Sequence, residues 1–141
     1  MSSSTSKNVF STTRTHIAAI SIKEIATQFN TPTFVYDAEV ILRRIAELSE
    51  FDVVRYAQKA NSNLAVLALM KQHGVVLDAV SAGEIHRALR VGYQGGSDAS
   101  GRHEIVYTAD IFDQDALALV QEHNIHVNCG SVDMIEQLGK V

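Results

Sequence analysis

The 141-residue sequence lacks the features that mark several common classes of protein. Its single cysteine, Cys129, excludes an intramolecular disulfide and fits a reducing compartment such as the cytoplasm. No apolar run approaches the ~20 residues that a membrane-spanning helix needs, so no membrane association is expected. Acidic residues outnumber basic ones, and the formal net charge of −4 offers no basic face to nucleic acid.

Motifs for metals and phosphates are missing too. The six histidines are scattered without a His-x-x-x-His pair, and His123 and His126 straddle a predicted helix–strand boundary. The glycines within 92–101 form neither Gly-x-Gly-x-x-Gly nor a phosphate loop with its lysine. Cys129 has no evident histidine partner, so we expect it to pack rather than to act as a nucleophile. We therefore expect no metal site.

The N-terminal fifteen residues are mostly serine and threonine, with Lys7 and Arg14 and no acid before Glu24. This composition suits a transit peptide or a disordered start. The basic residues are sparse and no amphipathic helix precedes Ile17, so we favour a disordered start without an assigned function.

After residue 30, strand-like and helix-like segments alternate. The predicted strands are 33–36, 53–57, 75–80, 105–108 and 125–128, and the predicted helices are 38–49, 63–73, 83–91, 113–123 and 132–138. Asp37 and Ser81 are the expected N-caps of two of these helices. Such alternation predicts right-handed βαβ units in a parallel sheet. The Gly/Ser-rich loop 92–103 is longer than usual, and we expect it to be mobile.

Two architectures fit this pattern, a doubly wound open sheet and a (β/α)₈ barrel. An open sheet can close on itself at this length, whereas a barrel needs about 250 residues. The alternation alone therefore favours the open sheet.

One lysine stands out within the segment 53–63, where a strand ends in Lys59 and runs directly into a helix start. If that amine is withdrawn from water, its neutral form is favoured, and a neutral amine condenses with a carbonyl to form a Schiff base. The alternative is a strand-end lysine that reaches into solvent, and the spacing alone favours that alternative.

Four ordered motifs carry a family resemblance. They are Tyr-Ala-Gln-Lys-Ala-Asn-Ser-Asn at 56–63, Asp-Ala-Val-Ser-Ala-Gly-Glu-Ile at 78–85, Tyr-Thr-Ala-Asp at 107–110 and Val-Asn-Cys-Gly-Ser-Val-Asp-Met at 127–134. From about Thr31 onward the sequence resembles the pyridoxal-phosphate decarboxylases of the alanine-racemase-like barrel type. The likeness is strongest to the branch that converts meso-2,6-diaminopimelate to L-lysine and carbon dioxide.

The resemblance implies an α/β fold, namely the first half of a pyridoxal-phosphate-binding (β/α)₈ TIM-type barrel. Residues 31–141 would form the partial barrel, and residues 1–30 a disordered segment or one associated with a β-domain. The first four barrel strands would end at Lys59, Val80, Thr108 and Asn128. We expect the chain to be a truncated fragment that is inactive and aggregated or molten by itself.

The resemblance also implies the site. Lys59 would hold pyridoxal phosphate, Ala57 would leave room for its ring, and Asp78 would lie beside it. From spacing, Asp78 could equally cap the following helix, which Ser81 and Glu84 already cap with a Ser-x-x-Glu box. By strand alternation Arg55 lies near the barrel floor, where it should have a partner.

Secondary candidates at the site carry weaker arguments. Asn61 and Asn63 should make local turn and cap hydrogen bonds, although the family pattern also brings Asn61 near the site. Thr108, Asp110 and Asn128 end later strands and could line the barrel mouth. In such enzymes the ring-stacking histidine, the phosphate site and the cross-subunit residues come later in the sequence.

The expected activity is decarboxylation of a small amino acid by a cytoplasmic enzyme that is a homodimer when full length. One alternative is a barrel decarboxylase that acts on arginine, ornithine or carboxynorspermidine. Another is a non-catalytic pyridoxal-phosphate carrier or racemase-like protein, although such relatives usually lack the 78–84 motif. A third is a stable open-sheet binding module, which two unpaired strand edges disfavour.

Overall fold

The computed structural model describes residues 14–140, which fall into two units divided between Arg44 and Ile45. In the first unit, β1 (His16–Ile17) and β2 (Ile20–Ser21) form an antiparallel hairpin that leads into α1 (Ile22–Phe29). The sequence analysis predicted neither the hairpin nor this helix. Its disordered start lies largely outside the described residues, and its domain boundary at residue 30 stays a prediction.

The next helix, α2 (Ala38–Ala46), begins where Asp37 was expected to cap it. Oδ1 of Asp37 accepts a hydrogen bond from the backbone N–H of Glu39 at 3.0 Å, which confirms a capping role. The strand predicted at 33–36 is wrong, because these residues have no strand partner among residues 14–140 and Phe34 is 88% exposed. β-branched and aromatic residues favour an extended backbone, but a strand also needs a neighbour.

The second unit alternates strands and helices as predicted. Its strands are β3 (Arg55–Ala57), β4 (Val76–Ala79), β5 (Ile105–Tyr107) and β6 (His126–Val127). Its helices are α3 (Leu64–Gln72), α4 (Ala82–Arg90), α5 (Gln114–Glu122) and α6 (Val132–Gly139). All four strands are parallel and lie in sequence order, β3-β4-β5-β6. Within residues 14–140, no helix is both long and apolar enough to cross a membrane.

The two faces of this sheet have different roles. One face carries Leu77, Ala79, Ile105 and Tyr107, which are buried with apolar side chains of the helices. Those helical side chains are Leu67, Ile85, Ala88, Ala116, Leu119, Val120 and Met134. This core packs against a single face of the sheet, whereas a doubly wound sheet has helices on both faces. Sequential strand order with this one-sided core is the arrangement of consecutive barrel units.

Local hydrogen bonds begin the helices of the second unit where the sequence predicts. Oγ of Ser81 accepts from the Glu84 N–H at 3.3 Å, and the Glu84 carboxylate accepts from the Val80 N–H at 2.8 Å. Oδ1 of Asn63 accepts from the Ala65 N–H at 2.9 Å, and Oδ1 of Asn61 accepts from the Asn63 N–H at 3.0 Å. The predicted Ser81 cap and the turn at Asn61 are thereby confirmed, whereas Glu84 bonds the Val80 N–H and not the Ser81 N–H that a capping box requires.

The loop 92–103 is closed by its own hydrogen bonds. Ser97 and His103 form an antiparallel bridge, and Oδ1 of Asp98 accepts from both the N–H and the hydroxyl of Ser100. The Ser100 hydroxyl is the main cause that lowers the pKa of Asp98 to about 2, with the Arg102 N–H contributing next. These contacts organise the loop, and its expected mobility stays a prediction.

Tyr93 connects the segment after α4 to the segment just before β4. It is 1% exposed, and its hydroxyl donates to the Val75 carbonyl at 2.8 Å. Nζ of Lys71 lies 4.6 Å from the Tyr93 ring centroid and 3.2 Å from the Glu104 carboxylate. Burial, and secondarily the charge of Glu104, raises the pKa of Tyr93 above its ordinary value.

This raised pKa predicts that the folded protein loses stability in alkaline solution. An unfolded tyrosine ionises near pH 10 while the buried one stays neutral, so the stabilising contribution of Tyr93 is complete below about pH 10 and is lost above it. Tyr93→Phe should lower the melting temperature at pH 7, because a hydrogen bond worth about 1 kcal/mol is lost. It should also make the decline of melting temperature above pH 10 shallower.

Thermal melts of a full-length protein that contains this chain, from pH 7 to pH 11, test this expectation, with Tyr36→Phe as the control because Tyr36 is exposed. An alkaline decline that is equally steep in the Tyr93 variant and in the unmodified protein would contradict it.

Candidate functional site

The candidate site lies at the carboxyl ends of the parallel strands. β3 ends at Ala57, and a 3₁₀ turn over Gln58–Ala60 places Lys59 directly beyond the strand. The sequence left two alternatives for this amine, one withdrawn from water and one reaching into solvent, and Lys59 is exposed, as the spacing alone favoured. Within the described residues β3 has a single neighbouring strand, β4.

Asp78 lies beside this turn through the sheet register. It is the Cα partner of Ala57 across the β3–β4 ladder, and its Oδ1 accepts a 2.5 Å hydrogen bond from the Thr108 hydroxyl. Its alternative role as a helix cap is excluded, because Ser81 and Glu84 make the capping contacts at the start of α4. The register therefore brings together Ala57, Asp78 and Thr108, three residues that the sequence singled out.

Arg55 occupies the same strand one pleat below Ala57, and the structure supplies its partners. Its guanidinium donates to the Leu77 carbonyl at 2.7 Å and to the His103 carbonyl at 3.0 Å. Burial lowers the pKa of Arg55, and the negative charge of Asp78 partly offsets this effect. Arg55 thus links β3, β4 and the segment before β5 while it interacts electrostatically with Asp78.

The other candidate residues at the strand ends contribute mainly to the local structure. The N–H of Asn128 donates to the Tyr107 carbonyl at 2.9 Å, which continues the β5–β6 pairing. Oδ1 of Asp110 lies 3.0 Å from the position that a Cβ on Gly130 would occupy, so only a residue without a side chain fits there easily. The Tyr56 hydroxyl donates to the Asn61 carbonyl at 3.0 Å and so holds the turn that follows Lys59.

Two features were missed by the sequence analysis. Gln58 is 1% exposed, and neither its side-chain nitrogen nor its oxygen has a hydrogen-bond partner among residues 14–140. His103 and His126 stack with ring centroids 4.4 Å apart, although 23 positions separate them in the sequence. Their alignment depends on strand register, which no local pattern reveals. In the same part of the chain, no group of three or more His, Cys, Asp or Glu side chains could hold a metal.

Comparison with known proteins identifies the domain. Residues 37–141 match the family described as pyridoxal-dependent decarboxylase, pyridoxal binding domain. The chain belongs to this family.

Individual relatives agree with this assignment. Diaminopimelate decarboxylase of Escherichia coli K12 is 49% identical over 129 residues, which cover 92% of this chain and 30% of that protein. The Streptomyces coelicolor diaminopimelate decarboxylase is 49% identical over 115 residues, with 82% and 26% covered. The chain thus spans about 30% of the length of the curated relatives it matches first.

Solved structures share the fold. A diaminopimelate decarboxylase crystal structure matches with a TM-score of 0.76 at 50% identity over 83% of this chain and 27% of its own. The enzyme from M. jannaschii, in co-complex with L-lysine, matches with a TM-score of 0.78 at 25% identity over 89% and 30%. These matches confirm the predicted partial (β/α)₈ barrel, and the open sheet favoured by alternation alone is wrong.

A stability prediction follows from Arg55. Arg55→Met removes the donors to the Leu77 and His103 carbonyls, and should lower the unfolding free energy by about 1–3 kcal/mol. Denaturant unfolding of a full-length protein that contains this chain measures this loss, with Arg90→Met as the matched control because Arg90 is exposed. Equal stability of the two variants would show that the guanidinium contacts contribute nothing.

Proposed function

We propose that this chain is the amino-terminal part of the pyridoxal-phosphate-binding barrel of a diaminopimelate decarboxylase, which converts meso-2,6-diaminopimelate to L-lysine and carbon dioxide. The observation that carries the proposal is the position of Lys59, at the end of the first of four parallel strands and two residues beyond the Ala57–Asp78 register pair. The 49% identity to enzymes of that name supports the substrate.

The residues at the strand ends fit pyridoxal phosphate. Covalent attachment needs a primary amine that the aldehyde can reach, and Lys59 is exposed. A flat ring beside that amine needs space, and Ala57 has only a methyl side chain at this position in the strand. Asp78 adds a carboxylate that Thr108 already orients. We assign cofactor binding to these residues, with Lys59 as the attachment point and Ala57 and Asp78 beside it.

When bound, pyridoxal phosphate supplies an electron sink for the negative charge that remains on carbon after the carboxylate leaves. The protein contributes position and charge around that sink. Lys59 would hold the cofactor through Nζ, and the same amine would be placed to return a proton to the substrate carbon. Asp78 would lie beside the attachment point, and Arg55 interacts electrostatically with Asp78 from below.

The amino-acid substrate class has support from related structures, three of which contain L-lysine. The proposal also includes a homodimeric full-length protein in the cytoplasm and a barrel domain that begins near residue 31. These parts rest on the family resemblance.

Lys59→Ala in a full-length protein that contains this chain tests the attachment point. Borohydride reduction followed by peptide mass spectrometry should find the cofactor mass on the Lys59 peptide of the unmodified protein and on no peptide of the variant. Lys140→Ala, which changes another exposed lysine, should retain full labelling. Labelling that persists in the Lys59 variant would remove this residue from the proposal.

The substrate is tested by carbon dioxide release from the same full-length protein. Release should be fastest from meso-2,6-diaminopimelate, with L-lysine formed in equal amount. Faster release from arginine, ornithine or carboxynorspermidine would indicate another barrel decarboxylase. Cofactor binding without release from any of the four would indicate a non-catalytic carrier.

A further inference from the structure

Thr108 is held on β4 by two hydrogen bonds. Its backbone N–H donates to the Ala79 carbonyl at 3.0 Å, and its hydroxyl donates to Oδ1 of Asp78 at 2.5 Å. The first bond continues the β4–β5 ladder beyond the last residue of β5. The ladder therefore fixes the Thr108 backbone, so the position of the hydroxyl depends on one side-chain torsion that the carboxylate selects.

The hydroxyl decides how the Asp78 carboxylate is oriented. A carboxylate on a strand can rotate about two torsions, and the opposing charge of Arg55 attracts it toward the barrel floor. A hydrogen bond from a hydroxyl to a charged oxygen is among the stronger kinds, and it holds the acceptor in a defined direction. Oδ2 receives no hydrogen bond from the described residues, so it remains available to a group at the mouth.

We propose that Thr108 is a positioning residue for the cofactor site, because its hydroxyl holds the Asp78 carboxylate at the level of the Lys59 turn. Thr108 acts through Asp78 and does not itself contact the cofactor. The inference rests on the proposed function and adds a third strand, β5, to the two that supply Ala57 and Asp78.

A merely structural role for Thr108 makes different predictions. A hydroxyl that only joined two strands would affect the stability of the cofactor-free protein and leave cofactor affinity unchanged. A positioning hydroxyl affects affinity through Asp78, so its loss has no further effect once the Asp78 charge is gone. These two cases are separated by a double-mutant cycle.

The experiment compares Thr108→Val, Thr108→Ser, Asp78→Asn and the Thr108→Val/Asp78→Asn double variant of the full-length protein. The dissociation constant for pyridoxal phosphate is measured by absorbance titration, and the melting temperature is measured without the cofactor. Thr108→Val should weaken binding on the order of tenfold, as expected for loss of a charge-assisted hydrogen bond. Thr108→Ser should restore affinity to within about twofold, since it keeps the donor.

The double variant should bind no more weakly than Asp78→Asn alone. Thr27→Val is the off-site control, because it removes a hydroxyl that donates to the Lys23 carbonyl in α1. Unchanged affinity in Thr108→Val, failure of serine to rescue, or independent losses in the double variant would overturn the inference. If Thr108→Val does not fold, Thr108→Ala replaces it in the same comparison.

Failure of the proposed function gives a different result. In that case the unmodified protein would not bind pyridoxal phosphate, or would bind it without using Lys59, and the role of Thr108 would fall with it. If the unmodified protein binds through Lys59 and the Thr108 variants bind equally well, the positioning role alone is overturned.

Discussion

The parallel ladder between β3 and β4 fixes the candidate site. Arg55 pairs with Val76 and Ala57 with Asp78, so the two charged residues share the sheet face opposite the buried helical core. A shift of one residue in this register would turn Asp78 into the core, where an ionised carboxylate without a partner is strongly disfavoured. The chemistry at the mouth is therefore tied to backbone pairing that the helical core enforces from the other side.

The charged residues on this face follow one another along the strand direction, from Arg55 to Asp78 to Lys59. The guanidinium of Arg55 lies lowest and is held by two backbone carbonyls, so its position does not depend on Asp78. Asp78 lies above it with the Thr108 hydroxyl on one oxygen, and Lys59 follows beyond the end of β3. Arg55 and Asp78 thus interact electrostatically from below the end of the strand, whatever occupies the space above them.

The parts of the structure that the sequence could predict depend on residues close together in the chain. Local hydrogen bonds form the cap at Ser81 and the turn at Asn61. The four strands of the second unit follow from hydrophobic patterns only a few residues long. The partners of Arg55 lie 22 and 48 positions away, and no local pattern encodes them. The strand predicted at 33–36 failed for a related reason, since propensity cannot supply a neighbouring strand.

Periodicity alone could not decide the architecture of the sheet. Alternating strands and helices are common to open sheets and barrels, and length favoured the wrong one of the two. Four ordered motifs resolved that ambiguity because they carry the resemblance to a family of barrel enzymes, and the solved structures confirm it. The role of Asp78 is harder to predict from the sequence, because this residue could cap a helix or lie beside a cofactor. The structure removes the first alternative, since Ser81 and Glu84 make the contacts at the start of α4.

The exposure of Lys59 defines what these four units can and cannot contribute. Attachment of an aldehyde needs a neutral amine, a form that removal from water favours. Exclusion of water also strengthens the electrostatic interactions that Asp78 and Arg55 provide. Under the proposed function, the described units supply the amine, a carboxylate and the charge beneath it, while desolvation would need atoms on the side of β3 that does not face β4. Alignment and desolvation are thus separate tasks, and β3 to β6 perform the first.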